Sequence, residues 1–362
     1  MLSSWVVLGH QSAEGGLISS LLHVPFLHIL AKGTLAVSGF FCLSGFILAY
    51  NYSTRLGSLD EVARFIGARL ARIYPVYLLG LLVFLPYAIY HWHEGIYSAG
   101  VSIGALILCL GLVQTLVVPF CGVWNLPGWS LSAELFFYLT LPIYAARLKN
   151  LSNRVLSMAL GASLLASLGA WLLAEHWQAG IFVIYSPVFR VPEFIAGYIT
   201  GLFFLRHGAW SKSLSAVALI LATVVVVGGC NILPGGNYFG VFPIFFLLLI
   251  YALVNPPRWV GLLLGNPGAV WLGEISYGMY IFHEPASFYF KSFEKYVSRT
   301  DLWHQHPYVA MGFYFLTVVS VSGLVFVFVE RPLRKRLAPV LAARIRRIFS
   351  GVRMTHLTGE NK

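Results

Sequence analysis

Charge is scarce in this chain. Only 10% of its 362 residues are Asp, Glu, Lys or Arg, against about 25% in an ordinary soluble domain. No polar stretch is long enough to fold as a separate soluble domain. Cysteine is scarcer still: Cys42, Cys109, Cys121 and Cys230 stand far apart, mostly inside apolar runs. They offer neither metal-ligand spacing nor a disulfide framework, so no metal site is expected. The N-terminus lacks the basic region of a cleavable signal peptide. No internal repeat and no low-complexity segment is present, and no pair of Gly/Pro-broken spans in matching halves suggests an inverted-repeat transporter.

What is there is apolar. Hydrophobic residues make up 58% of the chain, and the mean hydropathy is +0.78. The runs are continuous and about twice the ten-residue, alternating length of a barrel strand. The composition therefore predicts an all-α integral membrane protein, a polytopic helical bundle. A first run, residues 2–9, is too short to span alone; it either continues toward Leu22 or begins upstream of Met1. Further runs lie at 33–50, 73–90, 101–118, 129–146, 155–174, 188–205, 214–227, 239–254, 269–290 and 308–329.

Basic residues orient these runs. Residues 51–72 read as a polar loop with Arg55, Arg64, Arg69 and Arg72, and nine of the 24 Lys and Arg residues follow Glu330. The positive-inside rule puts both segments in the cytoplasm. An even number of crossings must then separate them, yet nine runs intervene. Working back from the tail, the basic segments 147–154, 206–212 and Arg258 fall inside, so the misfit lies between 73 and 118. One run there is expected to re-enter rather than span, giving about ten transmembrane helices with both termini cytoplasmic. Residues 1–337 form one membrane domain on this reading, and 338–362 a basic tail. The net charge of +11 then marks contact with anionic lipid rather than nucleic acid.

The stretch 123–142, VWNLPGWSLSAELFFYLTLP, is the centre of the sequence. Trp129 lies at the outer face on this topology, and Ser130, Glu134 and Tyr138 share one helical face. A carboxyl inside an apolar span costs a few kcal/mol or more, so Glu134 is a candidate for chemistry. His10 ends the first run; a neutral imidazole there suits a general base or an acyl carrier. Arg69 and Arg72, in GARLARIYPVY, are either an orientation anchor or a phosphate clamp, since guanidinium forks match phosphate oxygens. Arg190 and Glu193 are either a structural ion pair or substrate-positioning groups, and Glu193, Gly197 and Gly201 form one stripe with small-xxx-small spacing. Ser276, Tyr280 and His283 fall at i, i+4 and i+7, a polar stripe on an otherwise apolar helix. Glu330 reads as an interfacial anchor.

Taken in order, SGFFCLSGFIL, RLARIYPVY, WSLSAELFFYLTLP, FRVPEFIAG, ISYGMYIFHEP and ERPLRKRL resemble the acyltransferase 3 family of membrane-bound O-acyltransferases. The resemblance covers essentially the whole chain and its ten-span architecture agrees with the crossing count. It implies transfer of an acyl group, usually acetyl, from cytosolic acyl-CoA, a donor co-substrate and not a resident cofactor. The implied acceptor is a hydroxyl of a cell-surface carbohydrate or glycolipid at a bacterial inner membrane. It puts His10 in the catalytic role, Arg69 and Arg72 at the acyl-CoA, Glu134 at the family's acidic position and His283 on its late Tyr-rich helix. It also implies an arginine eleven residues before the histidine, a position that falls before Met1. Relatives with an appended hydrolase-like domain differ from this chain, which resembles the standalone members. A non-enzymatic carrier of a glycolipid, an organic acid or an acyl group is the competing expectation.

Overall fold

The computed structural model describes residues 2–12, 32–33, 35–176, 180–232, 238–294 and 305–358, except for the side chains of 10–12 and 351–358. Among the described residues the chain is helical, without strands, as the composition predicts. Six helices among these residues are long and apolar enough to cross a bilayer. They are α2 (Leu35–Tyr52), α3 (Leu59–His93), α6 (Asn153–His176), α8 (Pro187–His207), α9 (Lys212–Ile232) and the continuous stretch Pro307–Ser350. That stretch holds α14 (Pro307–Val325), a π-helical turn at Phe326–Glu330 and the start of α15 (Arg331–Thr358). Between them lie α1 (Leu2–Ser12), α4 (Ala99–Leu110), α5 (Gly128–Asn150), α7 (Gly180–Tyr185), α10 (Pro243–Ala252), α11 (Arg258–Leu264), α12 (Pro267–Glu274) and α13 (Ser276–Phe293).

The segment read as a polar loop is half helix. Ser58 and Glu61 form a reciprocal capping box, so α3 starts at Leu59 rather than near Ile73. The box satisfies donors at the helix start that have no partner within the helix. At about 1.5 Å per residue, Arg72 to His93 covers about 32 Å, a full hydrocarbon thickness of about 30 Å. The preceding turns, Leu59 to Ala71, stand beyond the apolar part and are covered by α15. Gly67 lies so close to it that a Cβ would meet Ala342 N at 2.6 Å, and Arg346 Nε reaches Asp60 Oδ1 at 3.0 Å. The basic tail, as far as Thr358, is therefore a docked helix continuous with the last apolar stretch.

The run at 101–118 also divides. α4 has 12 residues, about 18 Å of helix, which is too short to cross. It gives way to 3₁₀ turns at Gln114–Leu116 and Val118–Phe120, of which Gln114 and Thr115 are buried. Gln114 Nε2 donates to Gly128 O at 2.9 Å, and the Thr115 and Ser132 hydroxyls lie 2.6 Å apart. Asn125 Nδ2 donates to Ile281 O at 3.1 Å. Irregular backbone at membrane depth survives only when protein or trapped water satisfies it. Here it locks the first turn of α5 against α13.

α2 and α8 touch backbone to backbone. A Cβ on Gly197 would lie 2.0 Å from Cys42 O, and one on Gly45 2.1 Å from Phe194 O. Small residues bring membrane helices this close because apolar burial does not drive their association in lipid. The contact ends in a buried ion pair, Arg190 Nη2 to Glu193 Oε2 at 3.0 Å.

Candidate active site

α2, α3, α5 and the α12–α13 junction surround a cavity of about 280 Å³. Arg69 and Arg72 of α3, Ser130, Glu134 and Tyr138 of α5, and Ser276, Tyr277 and Tyr280 of α13 line it together with apolar residues of α2. Residues as far apart in sequence as Val37 and Tyr280 thus share one chamber. Its walls are tied crosswise: the Tyr277 hydroxyl donates to Ile73 O at 2.6 Å.

Each polar side chain has a local reason for its position. Ser44 Oγ donates to Glu134 Oε1 at 2.9 Å, so α2 holds the carboxylate. Tyr138, one turn further along α5, lines the same cavity as Glu134. Arg69 is half-buried; its Nη2 donates to the Tyr52 hydroxyl at 3.4 Å and its guanidinium lies 5.5 Å from that ring's centre. Arg72 is exposed and lines the same cavity. Among the described residues no carboxylate comes within ion-pair distance of either arginine. Their i, i+3 spacing puts two uncompensated cations on one wall.

A second, smaller cavity of about 50 Å³ lies beyond Tyr280. It is lined by Val6 of α1, Trp129, Tyr185, Arg190, Tyr280 and His283, with further apolar residues. Arg190 is 1% exposed; its Nη2 also donates to Ser38 Oγ at 2.9 Å. Glu193 is fully buried, accepts from Ser38 at 3.1 Å, and lines neither cavity. His283 is fully buried, and its Nδ1–H donates to Tyr280 O at 2.7 Å, which leaves Nε2 as the acceptor in the neutral ring.

The sequence-based candidates thus fall into three places. Arg69, Arg72, Ser130, Glu134, Ser276 and Tyr280 meet at the larger cavity; Trp129, Arg190 and His283 join Tyr280 at the smaller one; Glu193 supports Arg190 from behind. His10 occupies the last turn of α1; its side chain lies outside the described residues. Ser44 and Tyr52 were missed as partners. Ser44 reads in sequence only as a small residue for close helix contact, and Tyr52 precedes Arg69 by 17 positions. Glu330 is also more than an anchor: it is 2% exposed, and its Oε2 has no hydrogen-bond partner among the described residues. Arg72 and Arg334 are its nearby cations. It closes a π-helical turn, a distortion that is frequent at functional sites.

A polar chamber with two guanidinium groups that no carboxylate pairs among the described residues, set between apolar helices, defines an integral-membrane protein with an internal binding site. Residues 2–329 match the family described as "Acyltransferase domain", the acyltransferase 3 family, and the chain belongs to it. It is an acyltransferase, which sets aside the non-enzymatic carrier. The chain is similar to the acyltransferase MdmB of Streptomyces mycarofaciens, 31% identical over 288 residues that cover 71% of this chain and 69% of that protein. A protein of Acidianus two-tailed virus named as an acetyltransferase is 24% identical over 272 residues, 72% of this chain and 76% of its own. A Staphylococcus aureus (strain COL) protein named as an O-acetyltransferase is 29% identical over 126 residues, 34% of this chain and 19% of that longer protein. No solved structure matches the chain.

Proposed function

We propose that this acyltransferase moves an acyl group, acetyl or a close homologue, from cytosolic acyl-CoA to a hydroxyl of a cell-surface carbohydrate or glycolipid. The observation that carries this reading is the pair Arg69 and Arg72, two cations without carboxylate partners on the wall of a cavity that runs into the bundle. Two cations side by side at the mouth of a cavity, neither within ion-pair distance of a carboxylate among the described residues, offer an anionic donor a place to dock. Guanidinium forks bind phosphate oxygens bidentately, which suits the phosphates of CoA. Nearby, α15 adds Arg334, Arg344 and further basic residues, a field that attracts the same anion. The bundle is read as sitting in a bacterial inner membrane, with the α3 extension, α15 and both termini in the cytoplasm.

On this reading the thioester enters the larger cavity from the arginine end, and the acceptor hydroxyl arrives from the opposite face. His10 takes the hydroxyl proton as the oxygen attacks the thioester carbonyl. The new C–O bond forms, the C–S bond breaks, and the CoA sulfur leaves with the proton that the imidazole gives up. Glu134, already held by Ser44, is the one carboxylate among the residues lining the two cavities. It orients the imidazole or stabilises it once charged. Ser130, Ser276 and Tyr280 position the reacting groups.

The test is mass spectrometry of cell-surface glycans with and without the gene. The gene should add one acyl group to a glycan. His10→Ala should abolish that addition while the protein still inserts and purifies as a folded species. Glycans that are the same with and without the gene would refute the acceptor class, and acylation that survives His10→Ala would refute the residue.

A further inference from the structure

Ser276, Tyr280 and His283 make a single stripe on α13, but they do not face a single space. Ser276 lines the larger cavity, His283 the smaller, and Tyr280 both. α5 divides in the same way, since Ser130 lines the larger cavity and its neighbour Trp129 the smaller. Tyr280, together with Val37 of α2, which also lines both, is thus the partition. The Tyr280 ring is braced edge-on by Phe40 at 6.0 Å and lies 5.8 Å from the His283 ring. Ser130 of α5 stands on the other side of the larger cavity, which it lines together with Tyr280.

The space behind this partition is small and mainly apolar. On the measure by which one water needs about 10–15 Å³, the smaller cavity holds about three to five atoms of non-hydrogen size. A sugar ring does not fit. Val6, Val37, Leu126, Pro127 and Ile184 give it apolar walls. Its Arg190 is committed through Nη2 to Glu193 and Ser38. The Nε of the same guanidinium is buried and has no partner among the described residues. An apolar pocket for a few carbons, with one donor left on a wall residue, matches the chemistry of a short acyl group with its carbonyl.

We infer that the cavity beyond Tyr280 is the acyl pocket of the enzyme, and that Tyr280 and the walls behind it set the length of chain accepted. The inference rests on the acyl-CoA reading above. The larger cavity then takes the thioester arm. Along α5 it extends from Tyr138 to Ser130, eight residues or about 12 Å, from the arginine end to the partition. The acyl group passes Tyr280 and sits beside the helix that carries His10, because Val6 of α1 forms part of its pocket. The walls stop a longer chain.

The experiment measures the affinity of the purified full-length chain in nanodiscs for free CoA, acetyl-CoA, butyryl-CoA and hexanoyl-CoA. The quantity read is each acyl-CoA affinity divided by that for free CoA, so a general weakening cancels. The unaltered protein should favour acetyl or butyryl over hexanoyl at least tenfold. Tyr280→Ala merges the two cavities and should reduce that preference to less than threefold. Ile184→Phe fills the pocket and should weaken butyryl-CoA about tenfold relative to free CoA; it serves where Tyr280→Ala fails to purify as a folded species. Free CoA that binds while chain length has no effect in any variant would overturn the acyl pocket alone. No binding of any CoA species to the unaltered protein would overturn both the pocket and the donor assignment.

Discussion

Arg69 and Arg72 show what single side chains contribute. Each is long, flexible and cationic, and a site that leaves two of them without carboxylates selects for an anion. Hydrogen bonds to charged groups contribute about 1.5–3 kcal/mol each, and about 1.4 kcal/mol is tenfold in affinity. Replacing either by Ala should therefore raise KM for acyl-CoA about 10- to 100-fold, with a smaller effect on kcat. A donor titration in membranes checks it, and unchanged KM in both variants would remove the arginines from donor binding. Glu134 belongs to the same scale. Its burial in an apolar run is visible in the sequence, but its partner is not, because Ser44 lies 90 residues earlier on another helix. Glu330 makes the same point in reverse. A terminal Glu-Arg-Pro reads as an interfacial anchor, whereas the π-helical turn draws the carboxylate inward, toward Arg72.

Among the helices, α2 and α8 form the closest contact. The stripe of Glu193, Gly197 and Gly201 already suggests close approach, and the structure pairs it with Gly45 and Cys42 of α2. A methyl group on Gly197 has no space, since the nearest atom is a backbone carbonyl that cannot swing away. Overpacking of this kind costs about 1–3 kcal/mol. Gly197→Val should lower the melting temperature of the purified protein in detergent, whereas Gly161→Val, whose Cβ would meet nothing within 4 Å, should not. Equal melting temperatures would show that the α2–α8 contact is looser than described. α3 adds a lesson about boundaries. Its apolar part starts where hydropathy says, but a capping box and the docked α15 extend the helix well before it. Hydropathy finds the part of a helix in lipid and is blind to the part supported by another helix.

For the whole molecule, the apolar content makes a membrane bundle legible at once, and the order of six short motifs makes the family legible. The number of crossings is less direct. Among the described residues length and composition identify six spans, while charge counting expects about ten, because it adds α5 and α13, which carry polar residues on their cavity faces, and α1 and α10, which are short. Orientation is testable without a ligand. The four native cysteines are buried, so a cysteine placed at exposed Gly57 or Gly95 reports on its own loop. An impermeant maleimide should label Gly57→Cys only in inside-out vesicles and Gly95→Cys only in right-side-out ones. The opposite pattern would invert the topology and put the arginines on the side without CoA.

The sequence by itself determined that the chain is a helical membrane protein, which residues are too costly in lipid to be accidental, and which family their order belongs to. Those are properties of composition and local spacing, and spacing along a helix fixes which side chains share a face. Only the tertiary structure decided which faces meet. It put Ser44 on Glu134, Tyr52 under Arg69 and Tyr280 between two cavities, because a partition needs walls from several helices and no local pattern records how distant helices are rotated against each other.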